Sequence, residues 1–213
     1  MRGDYDTALV YLEQSLRIGQ EIGDKIIEGS TLNNLATISN ARGDYDTALA
    51  YLEQSLKIRQ EIGDRMGEGT TLNNISQIYQ ARGDYDTALA YLEQTLKITQ
   101  ETGDRMGEGT TLNNISQIHQ ARGDYDTTLT YLEQSLKISQ EIGDINSSGI
   151  TLHNIGGIYF EIGKLKESIP YFMQAYKIFE NISSPHKQAP ESYLSAIIEK
   201  LGEDEFSRTL KEV

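Results

Sequence analysis

The triplet Arg-Gly-Asp, which cell-adhesion receptors bind, occurs four times in this chain at intervals of forty residues. The copies begin at Arg2, Arg42, Arg82 and Arg122. An adhesion motif needs an exposed, flexible loop on a secreted protein, and the first residues lack the basic-then-apolar layout of a secretory signal. The residue types instead predict a helix corner. Gly83 suits the left-handed residue that ends one helix, and Asp84 suits the N-cap of the next.

Residues suited to catalysis are few and scattered. The chain has no cysteine, so it has neither a thiolate nucleophile nor a disulfide framework. His119 takes the place of Tyr79 on an apolar helix stripe, which predicts a packed imidazole, and His153 and His186 lie in other contexts. The glycine-rich segment 103–111 has no lysine before its threonines and follows a predicted helix rather than a strand. It therefore does not fit a phosphate-binding loop. We predict no enzyme activity, no metal site and no cofactor.

Charge and hydropathy exclude several classes of partner. The 213 residues carry a net charge of −13, so the basic surface that nucleic acids and anionic membranes require is missing. No apolar run approaches the 18 residues or so of a transmembrane helix. The composition, 38% hydrophobic and 24% charged, is that of a globular domain or a repeat array. An acidic, cytoplasmic protein is the expectation.

A forty-residue repeat organises the chain. The blocks 42–81 and 82–121 differ only at Ser55/Thr95, Arg59/Thr99, Ile62/Thr102 and Tyr79/His119. Block 2–41 is closely related, 122–161 diverges further, and 162–201 keeps only the pattern. Graded divergence of this kind indicates growth by duplication.

Each repeat predicts two helices. In the first, apolar residues fall three and four positions apart, at Leu72, Ile75, Ile78 and Tyr79. The second has the same spacing at Ala88, Leu89, Leu92 and Leu96. Between the second helix and the next repeat, Gly103 likewise predicts a helix end and Asp104 predicts the N-cap of the helix that follows.

This pattern resembles the tetratricopeptide repeat, whose signature places Trp, Leu, Gly and Tyr in the first helix, then Ala, Phe and Pro. The fourth repeat matches it best, at Leu152, Ile155, Gly156, Tyr159, Ser168 and Phe172. Leucine replaces the tryptophan throughout, and the closing proline gives way to about six further residues. The longer unit, including Pro170, is similar to repeats of Pins-group adaptors and kinesin light chains. The resemblance runs from Arg2 to about Gly202.

The resemblance implies an all-α fold, a right-handed superhelix or α-solenoid of about five helix pairs. A single array is expected over residues 1–202, followed by a closing helix and short tail at 183–213. The array would comprise the second helix of a truncated repeat at 2–22 and units at about 24–62, 64–102, 104–142 and 144–182. Since Met1 falls mid-repeat, Ala8, Leu9, Leu12 and Leu16 are expected to be partly uncovered. This end would self-associate or bind upstream sequence.

In this family the first helices line a concave groove, and partners commonly lie there. The candidate groove residues are Asn33, Asn34, Asn73, Asn74, Gln77, Gln80, Asn113, Asn114, Gln117, Gln120, His153, Asn154 and Phe160. By resemblance, Asn34, Asn74, Asn114 and Asn154 correspond to asparagines that hold a ligand main chain, and Asn74 and Asn114 are expected to be exposed. Alternatively, these amides solvate the face or bond between neighbouring helices.

The fourth repeat makes one end of this groove apolar and aromatic. Ile150, His153 and Phe160 replace the polar residues of the earlier repeats. They either anchor a ligand side chain, or Phe160 simply packs against the last helix.

Two kinds of function are consistent with these residues. The first is a non-enzymatic scaffold that binds a peptide or protein segment in the amide-lined groove. The second is an architectural or regulatory arm of a larger microbial signalling or effector protein, or a repeat module that assembles end to end.

Overall fold

The computed structural model describes residues 5–212, and the regular structure in this range is helical. Eleven α-helices follow one another there, with one 3₁₀ turn, Pro185–Lys187, before the tenth. The helices are α1 (Tyr5–Ile22), α2 (Lys25–Ala41), α3 (Tyr45–Ile62), α4 (Arg65–Ala81), α5 (Tyr85–Thr102), α6 (Arg105–Ala121), α7 (Tyr125–Glu141), α8 (Ile145–Glu161), α9 (Leu165–Asn181), α10 (Gln188–Leu201) and α11 (Glu203–Glu212). The all-α fold class is confirmed. Met1 and the first Arg-Gly-Asp, at Arg2, lie outside the described residues.

The chain forms two compact units, Met1–Asp104 and Arg105–Val213. In the first, α2 packs on α3 and α4 on α5; in the second, α6 packs on α7 and α8 on α9. The helix of each pair that comes first in the chain carries the predicted groove residues. The organisation as a single array over residues 1–202 stays a prediction.

The Arg-Gly-Asp triplets within the described residues form helix corners. Gly83 has a φ of 77°, the left-handed conformation that a side chain disfavours. The Asp84 side chain caps α5 by accepting a hydrogen bond from the Thr87 backbone N–H at 3.1 Å. A hydrogen bond from the Thr87 hydroxyl, together with this backbone bond, holds the pKa of Asp84 below its ordinary value. The carboxylate that an adhesion receptor would bind is therefore committed to a helix terminus.

The arginine of the corner links one repeat to the preceding one. Arg82 forms an ion pair with Asp46, at the start of α3, and its guanidinium lies 5.7 Å from the centre of the Tyr45 ring. Arg42 makes the same contacts with Asp6 and Tyr5 on α1. The recurring sequence Arg-Gly-Asp-Tyr-Asp thus supplies both sides of a contact between successive repeats.

Each unit has its own apolar core, built from the stripes that the spacing predicts. In the first unit, Leu52, Ile75 and Ile78 are each 1% exposed. In the second, Phe172 is fully buried against α10 and α11, which contribute Ile197 and Phe206. Helices α10 and α11 lie within residues 183–213, where a closing helix and short tail are expected.

His119 packs as the sequence predicts. Its ring stacks on Tyr131 with centroids 5.5 Å apart, the arrangement that Tyr79 makes with Tyr91 at 5.6 Å. The imidazole replaces a phenol within an aromatic pair, and its Nδ1 lies 3.5 Å from the Asp124 carboxylate.

Helix α1 is covered on one side only. Its apolar residues Ala8, Leu9, Leu12 and Leu16 are half-buried, as expected. Its other side carries the exposed apolar residues Val10, Tyr11, Ile18 and Ile22. None of the helices between residues 5 and 212 is both long enough and apolar enough to cross a membrane.

Candidate functional site

The predicted groove residues lie on α2, α4, α6 and α8, on the faces of these helices that do not pack into the core. In α4, the stripe Leu72, Ile75 and Ile78 is buried, so the positions between these residues point away from the core. The most exposed groove residues are Asn34, Gln77 and Gln117. The half-buried ones are Asn33, Asn73, Asn74, Gln80, Asn113, Asn114, Gln120, His153, Asn154 and Phe160.

Within each unit, one asparagine pair connects successive first helices. Asn74 Nδ2 donates a hydrogen bond to Asn33 Oδ1 at 3.2 Å, which ties α4 to α2. Asn154 Nδ2 donates to Asn113 Oδ1 at 3.1 Å, which ties α8 to α6. The structure therefore brings these four predicted residues together in two equivalent pairs.

Asn74 and Asn154 bond between neighbouring helices, which is one of the alternatives that the sequence left open. Asn74 and Asn114 were expected to be exposed, and this is wrong: both are half-buried, and α2 covers part of the Asn74 side chain. A primary amide has two N–H donors and one carbonyl acceptor. The pair bond uses one N–H of Asn74, so its carbonyl oxygen and second N–H have the capacity to hold a ligand main chain. Whether they do stays a prediction.

Other polar residues of this face bond within the protein. The Thr70 and Thr110 hydroxyls donate to the carbonyls of Met66 and Met106, one turn earlier in their own helices. Gln120 Nε2 donates to Glu161 at 2.9 Å, within the second unit. The part of the face closest to the helix C-termini therefore carries an amide–carboxylate contact.

The aromatic end of the face contacts helix α10 of the same unit. Tyr193 stacks on Phe172 with ring centroids 4.7 Å apart, and Phe160 meets the Tyr193 ring edge-on at 5.1 Å. The His153 ring lies 5.5 Å from both Phe172 and Tyr193. The packing of Phe160 against the last long helix is thus observed. Ligand binding by His153 and Phe160 stays a prediction.

Burial controls the protonation of His153. Removal of its ring from water lowers its pKa, and the nearby His186 lowers it further. Its Nδ1 is buried and has no hydrogen-bond partner within the described residues. The neutral imidazole is therefore the form that the fold accommodates.

A cavity in the second unit was not foreseen from the sequence. It has a volume of about 240 Å³ and lies between α6, the end of α7 and the start of α8. Its polar lining includes Thr110, Asn113, Asn114, Ser135, Ser139 and Asp144, and its apolar lining includes Ile138 and Ile150. Three of the predicted groove residues, Asn113, Asn114 and Gln117, therefore share a cavity with residues that lie forty or fewer positions later.

The cavity contains an ionised carboxylate. Hydrogen bonds from the Ser147 backbone N–H and hydroxyl hold the pKa of Asp144 below its ordinary value, so its carboxylate is ionised at neutral pH. The cation at the rim, Arg105, is already engaged by two carboxylates, those of Glu108 and Glu141.

The equivalent place in the first unit, eighty residues earlier, is filled by Arg59. This side chain is only 8% exposed. Its guanidinium forms an ion pair with Asp64 and donates to the hydroxyls of Ser30 at 3.2 Å and Ser55 at 3.4 Å. The only sequence signal was the difference between Arg59 and Thr99 in two otherwise near-identical repeats.

Gly67 makes room for this guanidinium. A Cβ at that position would lie 1.8 Å from Arg59 Nη1. The corresponding residue in the second unit is Ser147, and the residue corresponding to Arg59 is Ser139. The second unit therefore has a serine at each of the two positions where the first has an arginine and the glycine that accommodates it.

Comparison with known proteins agrees with the repeat pattern. A family model described as "Tetratricopeptide repeat" matches residues 1–61, 27–101 and 107–181. No curated protein sequence matches the chain with significance.

Several solved structures share the fold. BtubC from P. vanneervenii has a TM-score of 0.83 at 17% identity, over 98% of this chain and 89% of its own. A kinesin light chain-like protein of Podosopora anserina, with nearly identical TPR-like repeats, has a TM-score of 0.66 at 20% identity, over 85% and 91%. A Rap protein complexed with Competence and Sporulation Factor has a TM-score of 0.71 at 16% identity, over 92% and 55%. Identities this low establish the likeness of the fold alone.

Proposed function

Because the chain belongs to the tetratricopeptide repeat family, we propose that it is a non-enzymatic scaffold that binds a peptide or protein segment. Each unit has its own binding face on its first helices, α2 and α4 in one unit and α6 and α8 in the other. The observation that carries the proposal is the equivalent pair of asparagine bonds, Asn74 to Asn33 and Asn154 to Asn113. A cytoplasmic location belongs to the same proposal.

The pairs support binding because they fix the orientation of the amides. A side chain that is already held loses little conformational freedom when a ligand arrives. Each amide that pairs with a peptide backbone contributes about 0.5–1.5 kcal/mol net. Several such bonds along one face would hold an extended segment at about micromolar affinity, with little dependence on its side chains.

The comparison with the Rap protein supports a peptide as one kind of partner. That structure is a complex with Competence and Sporulation Factor. It shares the fold over 55% of its own length at 16% identity, and this supports a bound factor as one kind of partner.

Peptide-display selection on the intact chain tests the proposal. The selection is counter-selected against a variant with Asn34, Asn74, Asn114 and Asn154 all changed to Ala. We expect enriched segments that bind the native chain ten- to a hundred-fold more tightly than this variant, since several backbone hydrogen bonds are lost. Equal binding to both chains would contradict the proposal.

A matched control removes four amides from the other helices. Gln14, Gln54, Gln94 and Gln134 are exposed and occupy the same position in α1, α3, α5 and α7. Their replacement by Ala should leave the binding of selected segments unchanged. No enrichment at all, from a folded and monodisperse sample, would favour an architectural arm instead.

A second candidate function is self-association through α1. The exposed apolar residues Val10, Tyr11, Ile18 and Ile22 support it, with exposures of 52%, 67%, 51% and 65%. Sedimentation analysis over a wide concentration range should then show a mass that rises with concentration, and Ile18→Lys should abolish the rise. A strict monomer at high concentration would remove this candidate.

A further inference from the structure

The first unit shows which chemical group the site between two first helices accommodates. There, the guanidinium of Arg59 is held by three acceptors: the Ser30 hydroxyl, the Ser55 hydroxyl and the Asp64 carboxylate. The methylene groups of Arg59 are buried with the rest of the side chain. The unit therefore contains its own example of a bound arginine side chain.

The second unit keeps every acceptor of this set. Thr110 stands in place of Ser30, Ser135 in place of Ser55, and Asp144 in place of Asp64, and all three line the cavity. The Ser135 hydroxyl donates to the Gly109 carbonyl at 2.8 Å, just as Ser55 donates to Gly29 at 2.8 Å. A hydroxyl that donates one bond still accepts others, as Ser55 does from Arg59.

The two units differ in the residue that faces these acceptors. At position 139 the chain has a serine, whose hydroxyl bonds to the Leu136 carbonyl and to Ser148, both at 2.9 Å. We propose that the cavity beside Ser139 binds an arginine side chain of a partner protein segment, through the acceptors that in the first unit hold Arg59. The inference rests on the proposed function, because the arginine belongs to a segment lying on α6 and α8.

Size and chemistry select arginine over other occupants. The volume of about 240 Å³ is that of a single large side chain and lies below the range of about 300–1,000 Å³ typical of small-molecule sites. The walls formed by Ile138 and Ile150 suit the methylene stem of an arginine, and the acceptors suit its planar donors. An anion would meet the Asp144 carboxylate, and an aliphatic side chain would leave the acceptors without a donor.

Ser147 changes the position of the bound group slightly. A guanidinium placed as in Arg59 would meet the Ser147 side chain, because Gly67 is the residue that provides the space in the first unit. The partner's guanidinium therefore lies nearer the mouth of the cavity. The Ser147 hydroxyl is an additional acceptor there.

The test uses N-acetyl-arginine amide as the probe and the intact, ¹⁵N-labelled chain as the receptor. We expect backbone amide shifts at Ser135, Ser139 and Asp144 that saturate with a dissociation constant on the order of 1 mM, as suits a single side chain. The matched control is N-acetyl-norleucine amide, which has an aliphatic side chain and no guanidinium. Equal shifts with both probes, or none with the arginine probe, would overturn the inference.

Two variants exchange the occupants of the two units. The double variant Ser139→Arg with Ser147→Gly recreates the Arg59–Gly67 arrangement and should weaken probe binding at this cavity at least ten-fold. The reverse variant, Arg59→Ser with Gly67→Ser, should give new probe-dependent shifts at Ser30 and Ser55. Retained binding by the first variant contradicts the inference.

A third variant guards against misfolding of the double variants. Asp144→Asn keeps a residue that caps helices well and removes the charge. It should weaken arginine binding at least five-fold and leave the circular dichroism spectrum unchanged, and unchanged binding would count against the inference. Segments from the display selection separate the two proposals. If they depend on the asparagines but lack arginine, the inference fails while the proposed function stands.

Discussion

Residues 25–71 and 105–151 have the same arrangement of three helices, eighty positions apart, and differ in what lies at the centre. In the first region the buried Arg59 bonds to Ser30, Ser55 and Asp64. In the second region, Ser139 is too short to reach the equivalent acceptors, and a cavity of about 240 Å³ remains. Equivalent helices therefore form a self-filled site or a cavity according to the residues at two positions, Arg59 or Ser139 and Gly67 or Ser147.

The same position varies in the other repeats within the described residues. Gly19 stands there in α1, and the side chain of Ile27 closes the space, since a Cβ on Gly19 would lie 2.9 Å from Ile27 Cγ2. Phe179 stands there in α9, where it would lie 2.8 Å from a Cβ on Gly149. Repeats that share their corners and core have thus diverged at the position that fills the gap between first helices.

The largest expected effect comes from removing the internal occupant. Arg59→Ala should lower the free energy of unfolding by about 2–3 kcal/mol, because Asp64 and two hydroxyls lose a buried donor and a void forms. Ser139→Ala, the matched change in the second unit, should cost less than about 1 kcal/mol. Chemical denaturation followed by circular dichroism measures both. Equal costs would show that Arg59 contributes nothing beyond an ordinary polar residue.

The effect of replacing Gly67 on the free energy of unfolding should reverse sign when Arg59 is also replaced. Gly67→Ala should destabilise the native chain by about 1 kcal/mol, because a Cβ would displace the Arg59 guanidinium. In the Arg59→Ser background, the same change should stabilise by up to about 1 kcal/mol, because alanine is the better helix former. Thermal or chemical melting of the four proteins in this cycle measures the coupling. Additive effects would contradict the proposed contact.

The asparagine pairs should behave alike in the two units. Asn74→Ala and Asn154→Ala each remove one interhelical hydrogen bond, worth about 0.5–1.5 kcal/mol, and alanine returns part of that through its helix propensity. We expect a net loss below about 1 kcal/mol in each case, with equal values within about 0.5 kcal/mol. A much larger loss in one unit would show that its pair has a further structural role. Denaturation midpoints are the measurement.

The smallest expected effect is on the pH dependence of stability, to which His153 of the second unit contributes. His153 occupies the position of Asn33 and Asn73, and burial lowers its pKa in the folded chain below the ordinary value of 6.5. The unfolded chain therefore binds the proton more readily, and the stability that the neutral imidazole contributes is lost as the pH falls below about 6.5. His153→Asn should reduce this loss between about pH 7.5 and about pH 5.5. Identical slopes of unfolding free energy against pH for the native chain and His153→Asn would contradict this prediction. The capping aspartates titrate at lower pH and should affect both proteins equally.

Much of the fold was predictable because its signals are local. A glycine that ends a helix and an aspartate that begins the next lie two or three residues from the groups they satisfy, as Gly83 and Asp84 show. The apolar stripes were equally local and gave the core residues Ile75 and Ile78. The contacts of Arg82 with Asp46 and Tyr45, thirty-six residues or more away, could not be seen from one repeat alone.

The candidate site was predictable only in part. The sequence identified the face that carries Asn74 and Asn154, but not that each amide bonds to an asparagine forty-one residues earlier. It placed His153 and Phe160 at an aromatic end, but not that Tyr193 of α10 packs on both. In each case the missing partner lies on another helix, at a separation that periodicity does not specify.

By itself, the sequence determined the helices, the corners between them and the family, because capping, left-handed glycines and apolar spacing act within a few residues. The tertiary structure decided which of the equivalent gaps are filled. Whether a gap closes depends on the summed volumes and hydrogen-bonding groups of three helices, so Arg59 and Ser139 acquire meaning only once α6, α7 and α8 can be compared with α2, α3 and α4.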